Sequence, residues 1–550
     1  MIFNNNKNFN KHNNCAKYLR LIFFLMLNIN LNSQNFEKTY KLLIDELNEN
    51  FSLTQSDSKY PYSSSIIEII NANGFIWIGG GKSVSKTTDK GQTWINYYGK
   101  QGLGVNGISA LSNFENKIYA AKARSVKQGD NYLPEGLGLA FTSDGGISWQ
   151  SFSQSVDLPD DDTVVYGNNK LRALPITTTI NNITYDLAVA SYGIFTANFA
   201  GGLRKSTDNG QTWTRVVLPP DYLDSISPNN SYNFTLSPVS GRFGLENNLN
   251  HRVFSVCVVY DSIIFVGSAN GVNRSTDRGI SWKKFNHKNQ TKPISGNFVT
   301  AIAFNYFDNS LWIASWKAEG ASEFTAVSFS YDFGESWETI LPNKKAYGFA
   351  FIEDVTFIAA EDGFYAYGNL FGSNKTLAYI DGFSIKDNFS NLRLNAKSFY
   401  SLANDEEYLW IGSSNGLLRY KPDNFRKPFA GEWKIYQGGV ELKSKSEAYA
   451  YPNPFSPLQE VLKIRFATGK NGTPVNTTIR IFDYGMNLVR TIVQNAPRGN
   501  YGFSGPQGEE IIEYWDGKDE KGNYAPNGTY FFRIDIENSE PIFGKIILLK

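Results

Sequence analysis

Five segments of this 550-residue chain repeat one pattern of a hydroxyl residue, any residue, Asp, any residue, Gly, any residue, a hydroxyl residue and Trp. They are Thr87–Trp94, Thr142–Trp149, Ser206–Trp213, Ser275–Trp282 and Ser330–Trp337. Their aspartates, at 89, 144, 208, 277 and 332, are spaced by 55, 64, 69 and 55 residues. Self-similarity at such a period indicates one supersecondary unit used repeatedly.

Each segment has the chemistry of a tied hairpin turn. The Asp carboxylate can accept backbone N–H bonds within its own turn, and the Gly two residues later can supply a positive φ. The Trp begins the next strand and covers the turn. These residues are therefore predicted to be structural. They are Asp89, Gly91, Trp94, Asp144, Gly146, Trp149, Asp208, Gly210, Trp213, Asp277, Gly279, Trp282, Asp332, Gly334 and Trp337.

An apolar strand ending in small residues precedes every segment. These strands are FIWIGGG (75–81), KIYAAKA (117–123), DLAVASYG (186–193), IIFVGSANG (263–271) and LWIASW (311–316). Two further copies, at 355–367 and 408–420, lack the Asp segment, which makes seven units. About four strands per unit predict an all-β fold, a seven-bladed β-propeller over 60–440, with the apolar strand in the middle of each blade.

The repeated segment resembles the Asp-box, also called the BNR repeat. Asp-boxes occur in sialidases, sortilin-like receptors, xyloglucanase-like glycoside hydrolases and photosystem-assembly-factor-like propellers. The resemblance implies the propeller fold and places the boxes at the blade periphery, away from the ligand. It implies little about function.

A second domain is predicted over 447–550, after the polar stretch Lys443–Glu447. Several apolar stretches alternate with polar residues, as strands with one exposed face do. They lie at 461–468, 477–485, 487–493, 511–517, 528–536 and 544–550. Their number and spacing predict an immunoglobulin-like β-sandwich.

The details of this region resemble a FlgD-type immunoglobulin-like domain and a C-terminal sorting domain of the type IX secretion system. The residues that carry the resemblance are the opening motif Tyr451, Pro452, Asn453, Pro454 and Phe455, the segment NGTYFFRI and the terminal GKIILLK. The resemblance implies secretion machinery as a partner. It also implies a secreted or outer-surface protein of a Gram-negative, Bacteroidetes-like bacterium.

The N-terminus independently indicates export. Residues 1–33 combine basic residues with the short apolar run LIFFLML, which is typical of a signal peptide. The run is too short for a bilayer-spanning helix, so no transmembrane span is expected in the mature chain. Residues 34–59 are predicted to hold one short helical segment.

Composition narrows the remaining chemistry. A net charge of +1 argues against a nucleic-acid partner, and three His with two Cys argue against a zinc site. No cofactor and no metal are predicted. The acidic loop Asp157–Asp162 is expected to be solvated, and Cys257 is expected to be a buried small hydrophobe.

Three connections longer than a minimal hairpin, at 122–138, 191–203 and 315–327, are candidates for a ligand site. They are expected to follow the same strand of their blades and so to cluster on one face. Arg124, Tyr192, Trp316, Lys317 and Glu319 are the predicted ligand-facing residues. They would act by aromatic stacking and hydrogen bonding.

The sequence thus favours a non-catalytic module that binds a glycan or an extracellular protein. A glycoside hydrolase and a structural protein of a surface assembly remain open alternatives. A sialidase needs three Arg around a carboxylate and an Arg-Ile-Pro signature before the first box. The nearest match, Arg172-Ala173-Leu174-Pro175, stands in the third unit. A xyloglucanase-like site needs a cleft between two propellers.

Overall fold

The computed structural model describes residues 57–58, 60–81, 83–99, 102–104, 106–129, 131–238, 248–390, 392–438, 448–458, 461–468, 473–499 and 510–550. The predicted signal peptide, 1–33, lies outside these ranges. So does the predicted helical segment 34–59, apart from Asp57 and Ser58, which form a strand. The described residues contain no α-helix, only single 3-10 turns at Leu249–His251 and Gly382–Ser384.

Contacts divide the chain into two compact units. The first holds the described residues up to Phe383, with Asn395–Gly431 and Tyr436–Gly438. The second holds Ser384–Leu394, Glu432–Ile435 and the described residues after Gly439.

Antiparallel sheets built from consecutive strands recur along the first unit. The first sheet contains β1 (Asp57–Ser58), β2 (Ile66–Ala72), β3 (Phe75–Gly80), β4 (Ser83–Thr87) and β5 (Trp94–Asn96). The second contains β6 (Gly107–Phe114), β7 (Lys117–Gln128), β8 (Asn131–Thr142) and β9 (Gln150–Phe152). A small accessory sheet contains β10 (Thr163–Tyr166), β11 (Asn169–Ala173) and β17 (Thr235–Leu236). The third sheet contains β12 (Thr184–Ala190), β13 (Gly193–Asn198), β14 (Gly202–Ser206) and β15 (Thr214–Arg215).

Four further sheets follow the same order, with one added edge strand, β16, in the fourth. The fourth contains β16 (Ser225–Ile226), β18 (Val253–Val259), β19 (Ile263–Ser268), β20 (Gly271–Ser275) and β21 (Trp282–Phe285). The fifth contains β22 (Phe298–Asn305), β23 (Ser310–Trp316), β24 (Ala326–Ser330) and β25 (Glu338–Ile340). The sixth contains β26 (Ala346–Ile352), β27 (Val355–Ala360), β28 (Gly363–Leu370) and β29 (Ser373–Ile380). The seventh contains β30 (Phe399–Asn404), β31 (Leu409–Ser413), β32 (Gly416–Pro422) and β33 (Gly431–Tyr436).

The first long strand of every sheet packs against the first strands of its two neighbours. The order β2, β6, β12, β18, β22, β26 and β30 returns to β2, so these strands form a closed ring. Seven antiparallel sheets arranged around a ring of their first strands are the blades of a β-propeller. The predicted all-β propeller is confirmed, and the apolar strands such as β3 stand second from the axis, between two partners.

Side chains close the ring between the first and last blades, because within the described ranges neither blade supplies a strand to the other. Trp94 is fully buried and contacts Trp410 and Tyr436 edge-on, at ring-centroid distances of 6.0 and 5.6 Å. The Asn71 amide donates to the carbonyl of Asn404 at 3.0 Å.

The strand assignment was wrong in the third blade. DLAVASYG is its first strand, β12, and GIFTAN (β13) occupies the position that FIWIGG has in the first blade. The connection at 122–138 is also not a loop. Its residues extend β7 and β8, so that these two twelve-residue strands form one long hairpin, paired from Ile118↔Thr142 to Gln128↔Asn131.

The second unit contains a sandwich of two sheets. One sheet has the order β34-β35-β38 and the other β37-β36-β39-β40. The strands are β34 (Ala448–Tyr451), β35 (Leu462–Ala467), β36 (Val475–Asp483), β37 (Leu488–Arg498), β38 (Glu510–Trp515), β39 (Gly528–Ile536) and β40 (Ile542–Leu548). Apolar residues of both sheets form one core. Sequence patterning missed β34, and the immunoglobulin-like assignment remains a prediction.

Candidate functional site

Strand direction defines two ends of the propeller. The turns between the first and second strands of each blade, and the Asp segments between the third and fourth strands, lie at one end, the turn face. The connections from second to third strand and from blade to blade lie at the opposite end, the loop face. A ligand site on either face therefore combines residues from several blades.

The five repeated segments form the same hydrogen-bonded turn on the turn face. In the fourth blade, the Ser275 hydroxyl donates to Asp277 at 2.7 Å and accepts the N–H of Gly279 at 2.8 Å. The same carboxylate accepts the N–H of Ser281 at 2.8 Å and its hydroxyl at 2.5 Å. The carboxylate and both pattern hydroxyls of the segment are thus engaged inside its own turn.

Each segment also touches the preceding blade. A Cβ on Gly146 would lie 2.3 Å from the Tyr97 hydroxyl of the first blade, so only glycine fits, and its φ is 98°. Trp149 packs edge-on against Trp77 at 6.2 Å. The residue before this glycine also has a positive φ in all five segments, as at Asn209 (59°), which the pattern did not predict.

The hydrogen bonds keep these carboxylates ionised. In Asp208 the bonds from the Thr212 hydroxyl and N–H lower the pKa to about 2. In Asp277 burial opposes the change, but the bonds from Ser281 and Ser275 still lower the pKa. A carboxylate that holds several donors in its own turn is poorly placed to act as a general acid.

On the loop face, aromatic rings from neighbouring blades pack together near the ring of first strands. Phe254, Phe298, Trp316, Tyr347 and Tyr400 are buried there, with Tyr185 and Phe199 partly buried against them. Tyr347 lies 5.6 Å from Tyr400 and 6.1 Å from Trp316. We call these seven residues the aromatic plug. Trp316 is 4% exposed, because it ends β23 and packs into this cluster, and its role at a ligand site stays a prediction.

The loop after Trp316 folds around one buried carboxylate. Glu323 accepts the N–H groups of Ala318 and Gly320 at 2.9 and 3.0 Å. It also accepts the N–H and the amide of Asn297, at 3.0 and 2.9 Å. Lys317 and Glu319 extend from this loop and are exposed.

Glu319 lies within electrostatic range of a buried cation. Burial lowers the pKa of the Arg252 guanidinium, and the negative charges of Glu319 and Asp221 oppose that effect. Arg252 donates from Nε to the carbonyl of Pro238 at 2.6 Å. Lys317 and Glu319, two of the predicted ligand-facing residues, are therefore exposed on the loop face beside the aromatic plug.

Arg124 lies in the extended hairpin and pairs within it. Its Nε lies 2.7 Å from Glu135, which also accepts the Thr179 hydroxyl at 2.7 Å. Burial opposes ionisation of Glu135, but these two partners hold its pKa below the usual value. Arg124 is about one-third exposed.

The expectation of a solvated acidic loop was wrong for its first residue. Asp157 is buried and lies 2.8 Å from Arg204, and Arg215 forms a second ion pair with it. Asp157 also accepts the N–H of Ile176 at 2.7 Å. Burial opposes ionisation, but the two guanidinium groups lower the Asp157 pKa. The other three acids, Asp160, Asp161 and Asp162, are exposed as expected.

Tyr192 lies on the turn face, whereas the end of the same candidate connection, after β13, lies on the loop face with the other two connections. It stands in the turn between β12 and β13. Lys205 and Arg278 each lie 5.0 Å from its ring centroid. Burial raises the Tyr192 pKa to about 12. The misassigned strand explains the error, since Tyr192 follows a first strand rather than a second.

The turn face carries an exposed aromatic group that the sequence did not single out. Tyr260, Tyr306 and Phe307 occupy the turns of the fourth and fifth blades and are 53%, 59% and 64% exposed. Tyr260 and Tyr306 contact edge-on at 5.5 Å. We call these three residues the aromatic patch. The only sequence signal for them is a pair of aromatic residues in a turn, where polar residues are usual.

In the second unit, the predicted sorting motif lies against the last strand. The Asn453 amide donates to the carbonyl of Lys545 at 2.8 Å and its oxygen accepts the N–H of Ile547 at 2.7 Å. Phe455 is buried and packs 5.5 Å from Trp515. The opening motif and the terminal strand therefore belong to one packed structure.

The part of the chain that the structure describes holds no cluster of three His, Cys, Asp or Glu able to bind a metal ion. No helix within the described ranges is long and apolar enough to cross a bilayer. Cys257 is partly buried rather than fully buried, and burial raises its pKa to about 12.

No protein-family model and no curated protein matches the chain. Among solved structures, PorZ of the type IX secretion system of Porphyromonas gingivalis is similar with 13% identity and a TM-score of 0.39, over 88% of this chain and 66% of that one. YCF48 from Cyanidioschyzon merolae is similar with 14% identity and a TM-score of 0.39, over 68% and 100%. The WD40 β-propeller domain of Doa1 has 11% identity and a TM-score of 0.36, over 66% and 96%. The propeller assignment does not depend on these likenesses, since the sheet order carries it.

Proposed function

We propose that this chain is an exported propeller that acts at the outer cell surface, or outside the cell, as a non-catalytic module binding a glycan or an extracellular protein. The proposal assigns residues 1–33 as signal peptide, 60–440 as an Asp-box propeller and 447–550 as an immunoglobulin-like sorting domain. The aromatic patch is the observation that carries the binding function. Three exposed aromatic rings on adjacent turns hold apolar surface in contact with water, which is unfavourable unless a partner covers them.

Export is supported by both ends of the sequence. The N-terminal segment has signal-peptide character, and the C-terminal region resembles a type IX sorting domain, which implies secretion machinery as a partner. The contacts of Asn453 and Phe455 are consistent with this resemblance. Asn453 binds the terminal strand and Phe455 packs in the core of the same unit, so the motif and the terminal strand form one packed structure.

Binding is favoured over hydrolysis by the state of the carboxylates on the loop face. Hydrolysis of a glycoside generally needs two carboxyl groups that face the scissile bond. Glu323 is held by two backbone N–H groups of its own loop and by the N–H and amide of Asn297, and Glu135 by Arg124 and Thr179. A glycoside hydrolase therefore remains the second candidate, and a structural role in a surface assembly the third.

One assay separates these functions. The chain from residue 34 onward is incubated with polysaccharides, sialylated glycans and host-matrix proteins, and both retention and release of small products are measured. We expect retention without release, weakened at least severalfold by Phe307→Ala. Phe543→Ala, which removes a similarly exposed phenylalanine (57%) from the second unit, is the matched control. Product release would establish an enzyme instead. Equal retention by both variants would exclude the aromatic patch as the binding site.

A further inference from the structure

A basic residue of a blade's third strand reaches the next blade at three seams of the propeller. Its side chain donates to the carbonyl of the residue that follows the Asp in the next blade's segment. The donors and acceptors are Lys86 and Gly145 at 3.3 Å, Arg274 and Phe333 at 2.9 Å, and Arg419 and Lys90. Each of these cations thus has a protein acceptor.

The seam between the third and fourth blades is different. Here the basic residue is Lys205, and the residue after the Asp is Arg278, so two cations meet. The Lys205 ammonium and the Arg278 guanidinium each lie 5.0 Å from the ring centroid of Tyr192. Within the described ranges, neither cationic group donates to a protein oxygen or pairs with a carboxylate.

Both cations are available to a ligand, since Arg278 is exposed and Lys205 is half-buried. Burial lowers the pKa of Lys205, and the positive charge of Arg278 lowers it further. Asp261, in the neighbouring turn, is engaged elsewhere, because it accepts the N–H of Ser191 at 2.8 Å and also its hydroxyl. An anion bound between the two cations would supply the acceptor that the other seams find in the protein.

The two cations adjoin the aromatic patch. Asp261 directly follows Tyr260 of the patch, and the N–H of Arg278 donates to the carbonyl of Ser262 in the same turn at 3.3 Å. Tyr260 contacts Tyr306 of the fifth blade. Basic and aromatic groups therefore form one surface over three neighbouring blades.

We propose that this surface binds an acidic glycan, whose carboxylate or sulfate group lies between Lys205 and Arg278 while a neighbouring sugar ring packs on the aromatic patch. This inference rests on the proposed function and names its ligand class. A glycan is favoured over an acidic protein because three aromatic rings offer far less apolar area than the ~800 Å² that each partner of a stable protein complex buries. Rings of this kind present flat apolar faces beside polar groups, which suits a sugar.

Titration calorimetry of the chain from residue 34 onward with polygalacturonate, dextran sulfate and neutral dextran tests the proposal. We expect at least one acidic polymer to bind about tenfold or more tightly than neutral dextran, and the two acidic polymers distinguish carboxylate from sulfate. Arg278→Gln should weaken this binding about tenfold, because it removes a charge-assisted hydrogen bond.

Lys90→Gln is the matched control. Lys90 has the same position in the first blade's segment and a similar φ, 59° against 63°, but its ammonium already pairs with Glu407. We therefore expect this variant to bind as the unaltered chain does. Equal near-ultraviolet circular dichroism shows that both variants are folded.

The proposal would be overturned if neither acidic polymer bound, if neutral dextran bound as tightly, or if both variants weakened binding equally. Equally tight binding of poly-glutamate would also overturn it and would indicate an acidic protein as the ligand. Phe307→Ala separates this failure from that of the proposed function. If it weakens retention of a ligand that Arg278→Gln leaves unaffected, the binding function stands and the acidic glycan does not.

Discussion

Asp157→Asn should destabilise the propeller strongly, although it preserves the shape of the side chain. Asp157 and its partners Arg204 and Arg215 are 6%, 3% and 10% exposed at their side chains. The substitution leaves two buried guanidinium groups without a negative partner. Removing one member of a buried ion pair costs about 3–5 kcal/mol, and we expect a loss in this range in the free energy of unfolding at pH 7.

The same loss should depend on pH. The folded-state pKa of Asp157 lies below its ordinary value of 3.8. Its stabilising contribution is therefore complete above about pH 4 and disappears as the pH falls through the lower folded-state value. The difference between Asp157→Asn and the unaltered chain should accordingly be constant from pH 8 to about 5 and shrink near pH 3.

Urea unfolding followed by tryptophan fluorescence measures both effects. Asp160→Asn is the matched control, because Asp160 is an exposed aspartate three residues away in the same loop. We expect it to change stability by less than about 0.5 kcal/mol. If the two variants were equally stable at pH 7, the buried ion pairs would not stabilise the fold and the reasoning would be refuted.

Three further changes test other parts of the molecule. Trp94→Ala should cost about 3–5 kcal/mol in urea unfolding because it opens the contact between first and last blades. Trp213→Ala, at a half-buried box tryptophan, should cost less. Burial lowers the His251 pKa to about 4, so stability should rise with pH between about 4 and 6.5. That slope should vanish in His251→Gln and persist in His287→Gln, as unfolding at several pH values would reveal. Asn453→Ala should cost about 1–3 kcal/mol and speed amide exchange along β40. The control is Asn527→Ala. The Asn527 side chain accepts the N–H of Lys550, and its loss should leave the amides of β40 protected from exchange.

The fold could be predicted because its determinants are local. An Asp, a Gly and two hydroxyl residues within eight positions close the turn by themselves, and the apolar strands before the five segments, with two further copies, number the units. The apolar copy predicted at 408–420 likewise contains β31 and most of β32.

The surroundings of the candidate ligand-facing residues were harder to predict, because other blades supply those surroundings. The Trp316 side chain is of a type that stacks on ligands, but aromatic rings from neighbouring blades bury it. Asp157 lies in an acidic run, and only the fold brings Arg204 and Arg215 to it. Tyr192 was placed on the wrong face by a shift of one strand, which reverses the direction of the chain.

Among the described residues the ring closes through side chains, and each blade takes its strands from one stretch of sequence, although β17 of the accessory sheet interrupts that stretch in the fourth blade. Propellers that complete one blade with strands from both termini are fastened by backbone pairing, so their first segment must wait for their last. Here every blade can fold as soon as its own residues are available. Gain or loss of the stretch that forms one blade would change the number of blades in the ring without dividing a sheet. Evolution by segment duplication is thus mechanically simple, provided that the tryptophan contact at the seam survives.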